Sequence, residues 1–175
     1  MIDRPGDTEF APFFAGYVSL VPETDVVAVL RDQAAEVHRH ARAFSPDRES
    51  FRYAPGKWSV RELFGHLGDA ERVFGYRAFC ISRGERANLP GFDEVPYVAH
   101  SSFAECSLAD LVGEFGRLRE SNLVVLRRLD EMAWKRLGSA NGSPVSVRAL
   151  AFIMAGHVRH HLQIVSTRYA ARDEA

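Results

Sequence analysis

Gly156-His157-Val158-Arg159-His160-His161-Leu162-Gln163 places three of the seven histidines of this 175-residue chain within five positions. The stretch lies inside an apolar run, Ala149 to Val165, without proline, and such a run reads as a helix. On a helix, residues four apart lie one above the other, so His157 and His161 share a face. That face also carries Leu150, Met154 and Ile164. His160 falls outside the apolar arc, roughly 60° from His157 and about 100° from His161. Two inward imidazoles one turn apart make half of a metal site. The pattern alone leaves two readings open: core histidines bonded to neighbours, or metal ligands. The metal reading has one physical advantage, because two neutral rings in an apolar layer need separate acceptors, whereas one cation serves both.

Three further helices precede this one. Pro22 and Thr24 are start signals, and Val26, Leu30, Ala34, Val37, Ala41 and Phe44 recur at helical spacing, which predicts a first helix over about 23–44. Ser59 and Glu62 form a capping box, with Trp58 placed to staple the entry onto Leu63. The second helix is therefore expected over about 59–82, stopped by Gly84, with Leu63, Leu67, Ala70, Phe74, Arg77 and Ile81 along one stripe. Residues 84–106 show no helical period and read as a long crossover, which allows the next helix to run parallel to the last. Leu111, Phe115, Leu118, Asn122, Val125 and Leu129 predict a third helix over about 107–131. Asn141-Gly142-Ser143-Pro144 is a turn, and Ser146 opens the fourth helix, about 146–170. Residues 1–21 read as an irregular arm with aromatics from Phe10 to Tyr17, and the tail 172–175 as a polar end that frays. No strand is expected. The whole predicts one domain over residues 1–175, with its core at about 22–170: an all-α four-helix bundle with a long crossover between the second and third helices.

Composition restricts the function. A net charge of −1 argues against a general nucleic-acid binder, which needs a basic face. Cys80 and Cys106 form no CxxC pair, so neither a disulfide framework nor a zinc ribbon is expected. The polar N-terminus lacks a signal-peptide core, and no apolar stretch approaches the ~18 residues of a membrane span. A soluble, cytoplasmic protein is the expectation.

Of the other histidines, His38 and His40 are two apart among charged residues, and His100 lies in the crossover. His66, near the start of the second helix, stands at the edge of the buried stripe and shares its side with Val73 and Arg77. By itself it reads as a core histidine bonded to a neighbour.

Taken together, Lys57-Trp58-Ser59-Val60-Arg61-Glu62-Leu63, His66-Leu67, Asp69-Ala70-Glu71-Arg72 and Gly156-His157-Val158-Arg159-His160-His161 resemble the DinB/YfiT-like superfamily of bacterial four-helix metalloproteins. The resemblance extends over nearly the whole chain. It implies a divalent metal, zinc or nickel, held by His66, His157 and His161, with positions left for water or substrate. It also implies a small-molecule substrate, a homodimer, and either thiol S-transfer with a low-molecular-weight thiol such as bacillithiol or mycothiol, or metal-dependent hydrolysis. A non-catalytic, stress-associated metal-binding protein is the rival. Asp69, three residues after His66, is the candidate partner for that ring's free N–H, since Glu62 is taken by its cap. His160 is the candidate general base at the rim, or else a ring bonded to a surface partner.

Overall fold

The computed structural model describes residues 2–169. Seven helices follow one another: α1 (Ala15–Ser19), α2 (Val26–Ala41), α3 (Val60–Ser82), α4 (Glu94–Ala99), α5 (Leu108–Leu126), α6 (Glu131–Lys135) and α7 (Val147–Ile164). The four long ones, α2, α3, α5 and α7, form the expected bundle. The foreseen caps hold two of them in detail: Glu62 Oε2 accepts from Ser59 N at 2.6 Å, and Ser146 Oγ from Ala149 N at 3.0 Å. Gly84, at φ 90°, ends α3 in the left-handed conformation that glycine adopts without strain.

Several boundaries differ from expectation. α2 starts later because Asp25, not Thr24, caps it, accepting from Ala28 N at 3.0 Å. α5 stops at Leu126, and Asp130 caps the separate helix α6 through Ala133 N. α7 gives way after Ile164 to a π-helical turn over Val165–Tyr169. The last residue of the expected fourth helix and the polar tail lie outside the described residues. The absence of strands is corrected too. β1 (Asn88–Leu89), β2 (Leu137–Ala140) and β3 (Ser143–Ser146) form a small sheet. β2 and β3 are an antiparallel hairpin around Asn141-Gly142, both at positive φ, as this tight turn requires. β1 comes from the crossover and pairs in parallel with β2. Strands of two to four residues are too short to show a period of two.

α2 and α3, consecutive long helices, do not neighbour each other; each packs against both α5 and α7. Glu71 meets Arg119 and Gly75 meets Asn122, in the same order along both helices, so α3 and α5 run parallel as the crossover allowed. Two apolar clusters fill the bundle, one around Leu30, Phe74, Leu150 and Ile153, the other around Val37, Phe64, Phe115 and Leu162.

Between the clusters lies a buried polar network. The Arg119 guanidinium makes two 2.8 Å bonds to the Glu71 carboxylate and others to Leu30 O and Gln33 Oε1. Gln33 in turn donates to Ala155 O at 2.7 Å, and Asn122 to Glu71 Oε1 at 2.8 Å. All four long helices are thereby joined.

The arm folds onto its own chain. Arg148 pairs with Glu9, and Arg159 pairs with Glu23 and donates to Leu20 O. α1 rests on α7 so closely that a Cβ on Gly156 would come 1.9 Å from Tyr17 O.

Two stability predictions follow from these contacts. Arg119→Met leaves the Glu71 carboxylate buried and uncompensated, and is expected to lower stability by about 3–5 kcal/mol in urea unfolding. Gly156→Ala should force α1 away from α7, costing about 1–3 kcal/mol and opening the arm to limited proteolysis near Tyr17.

Candidate metal centre

α3 and α7 bring His66, His157 and His161 together. His66 Nε2 lies 3.0 Å from His157 Nε2, and His161 Nε2 lies 3.1 Å from the same atom. All three are buried, at 3%, 6% and 8% exposure. Among the described residues they form the one group of three metal-ligating side chains close enough to share an ion. As donors for a divalent cation they fit: imidazoles at ~2.0–2.1 Å from a tetrahedral ion have nitrogens about 3.3 Å apart. The alternative, mutual hydrogen bonding, fits poorly. His157 Nε2 carries either one proton or one lone pair and faces two neighbours. A single cation would satisfy all three lone pairs.

Rings fix the imidazoles. Trp58 lies against His66, with centroids 4.7 Å apart, and Phe92 stacks on His66 at 6.2 Å and 9°. Tyr17 meets His157 edge-on at 5.4 Å. A cavity of about 420 Å³ opens beside the trio, walled by the arm, by Trp58, by Phe74 and Arg77 of α3, by the crossover and by the β2–β3 hairpin.

The other expected site residues are placed as follows. His160 lines this cavity, half-buried, between Tyr17 at 5.3 Å and His161 at 5.1 Å. Asp69 does not line it. Burial raises its carboxyl above the ordinary value, and its charged neighbours are Arg72 and Glu114. The bond from His66 to Asp69 is not made, because three residues on along α3 the carboxylate faces α5; His66 Nδ1 and His161 Nδ1 have no hydrogen-bond partner among the described residues. Glu62 is committed to its cap and to Arg52. His100 is exposed and bonds Pro96 O. Neither His38 nor His40 joins the cluster.

Residues unforeseen in the sequence complete the site. Trp58, expected at the helix entry as a staple, lies against His66. Phe14 and Tyr17 bring the arm into the cavity wall, and Phe92 and Asn141 bring the crossover and the hairpin. Arg77 was visible as a charge within an apolar stripe and on the side of His66.

Burial holds the three imidazoles neutral, His66 down to about 4 and His157 and His161 well below the usual value of 6.5. Unfolded, these rings gain protons near 6.5, so the unfolded chain binds more protons than the folded one between that pH and about 4. The metal-free protein is therefore expected to hold its full stability above about pH 6.5 and lose it as the pH falls towards 4. Urea midpoints across this range check it, and His66→Gln should flatten the profile.

Comparison with known proteins places the chain. The model of the DinB superfamily matches residues 29–165. A search of curated proteins by sequence gave no significant match. Among solved structures, YfiT from Bacillus subtilis, described as a probable metal-dependent hydrolase with an unusual four-helix bundle topology, superposes with a TM-score of 0.75 at 15% identity, over 94% of this chain and 90% of its own. The mycothiol-dependent maleylpyruvate isomerase gives 0.66 at 14% identity, over 83% of this chain and 61% of its own. The DinB-like protein YjoA from Bacillus subtilis gives 0.57 at 20% identity, over 83% and 90%. At such identities the likenesses show the fold, and the family assignment rests on the matched model: this four-helix bundle, with its histidines converging from α3 and α7, belongs to the DinB superfamily.

Proposed function

We propose that the chain is a metal-dependent enzyme acting on small molecules, a thiol S-transferase, with His66, His157 and His161 as its metal ligands. One observation carries this reading: the Nε2 atoms of His66 and His161 lie 3.0 and 3.1 Å from that of His157, all three within 4.8 Å of one another, beside an open cavity rather than in a closed core. An open cavity also favours turnover over mere metal storage, because substrate has a place to lie. A divalent metal held there supplies Lewis acidity that makes a thiol or a water nucleophilic at neutral pH.

The chain's own groups divide the remaining work. Phe74, Phe92 and Trp58 exclude water and offer an apolar surface to a substrate. His160, whose pKa burial lowers, is neutral at pH 7 and can accept a proton at its ring in the cavity wall. Tyr17 packs on both His157 and His160 and limits their rotation. Hydrolysis is the second reading, supported by the description of YfiT; it uses the same residues with water as the nucleophile. A homodimer is proposed from the family resemblance.

Elemental analysis of the untagged protein is expected to find about one metal per chain in the wild type and almost none in His157→Ala. Metal retained by that variant would remove the ligand assignment, and a wild type that takes up no metal on titration would remove the enzyme reading. Loaded protein should then consume a small thiol in the presence of an electrophile. Ester or amide cleavage without thiol consumption would instead select hydrolysis.

A further inference from the structure

The cavity beside the histidines holds a cation, Arg77, that no carboxylate among the described residues neutralises. Arg77 is 5% exposed and lies on α3, eleven residues beyond His66. Eleven residues fall within about 20° of three full turns, so the two share a face. The Arg77 guanidinium donates to Pro90 O at 2.7 Å and lies 5.8 Å from the Phe74 ring centre. Among the described residues it makes no ion pair. Arg52, Arg61, Arg72, Arg119, Arg148 and Arg159 all do. Glu94, the acid in the same cavity wall, acts on Tyr17, whereas the ionisable group that acts on Arg77 is the Tyr97 phenol. Arg119 is buried as deeply and has a bidentate carboxylate and two further acceptors. Burial favours loss of the Arg77 charge, yet a guanidinium stays protonated in proteins and carries five donors. A buried unpaired charge is costly, and a ligand that brings the counter-charge relieves it.

We propose that Arg77 is an anion subsite: it receives a carboxylate on a small molecule whose other end reaches the three histidines. The identity of that other end rests on the metal-site reading above. His66 and Arg77 are separated by about 16 Å along the helix axis, and the long arginine side chain leans back over Phe74, so both residues line the one cavity. The cavity of about 420 Å³ that both residues line admits a chain of about six carbons between them. Phe74, Phe92 and Leu150 line it with apolar surface suited to an aliphatic or aromatic spacer. Arg77 also borders a second hollow with Pro90 and Tyr97.

The test uses cobalt-loaded protein and a matched pair of probes, ω-mercaptohexanoate and ω-mercaptohexanol, followed by the cobalt–thiolate absorption band. The wild type is expected to bind the acid about tenfold or more tighter than the alcohol. Arg77→Met should bring the ratio to about one with alcohol affinity unchanged, and Arg77→Lys should keep part of the preference. Equal affinities in the wild type, or a ratio preserved in Arg77→Met, overturn the proposal. Should Arg77→Met fail to fold, the wild-type ratio and Arg77→Lys still decide. If neither thiol produces the band, the thiol reading of the site fails separately. Calorimetry of hexanoate against hexanol on zinc-loaded protein then tests Arg77 alone. The same preference in the wild type and its loss in Arg77→Met support the subsite, and no preference overturns it.

Discussion

The bidentate contact between Arg119 and Glu71 is the constraint on which the bundle depends. Two charges with 0% and 2% of their side chains exposed have lost nearly all hydration, a cost of several kcal/mol per ion that only good geometry and further hydrogen bonds offset. Here both conditions are met, since Leu30 O, Gln33 and Asn122 complete the shell. Apolar side chains tolerate a sliding helix, because dispersion contacts are non-directional. Hydrogen-bonded charges do not. The network therefore fixes how far α2, α3 and α5 are displaced along one another, and Gln33, bonded to Ala155 O, extends that register to α7.

That register positions the three histidines. Ala155 lies two residues before His157, so the bond that ties α7 to the network also sets the height at which His157 and His161 face His66. A slip of one residue would turn each of them by about 100° and scatter the donors. Between the apolar clusters and the polar network, the bundle has no slack with which to place the three rings elsewhere. Three neutral imidazoles are buried at this one level of the core, next to a cavity.

The walls of the cavity have a different origin. The arm, the crossover and the β2–β3 hairpin are short, irregular pieces, each anchored by a few directed bonds: Arg148 to Glu9, Arg159 to Glu23, Asn141 N to Leu89 O. They close over one end of a regular bundle. Rigid helices supply the donors, while loops supply the shape and polarity around them, a division that lets one fold serve many small molecules.

Much of this was legible beforehand. Periodicity and caps pointed to the four long helices, since Ser59, Glu62 and Ser146 act within three residues of themselves. The HxxxH spacing put His157 and His161 on one face for the same local reason. The strands at 88–89, 137–140 and 143–146 were not legible, being too short for a pattern, and Asp69 was misplaced because spacing along a helix does not say which neighbour a side chain faces. The sequence by itself determined the helices, their apolar stripes and the pairing of two histidines, because these depend on interactions a turn or less apart. Only the tertiary structure decided that His66 meets that pair, that Trp58 and Tyr17 enclose it, and that, among the described residues, Arg77 lacks a carboxylate while Arg119 has one. Most of those facts depend on contacts between residues roughly 40 to 140 positions apart, whose geometry is fixed by packing and by buried charge rather than by any local rule.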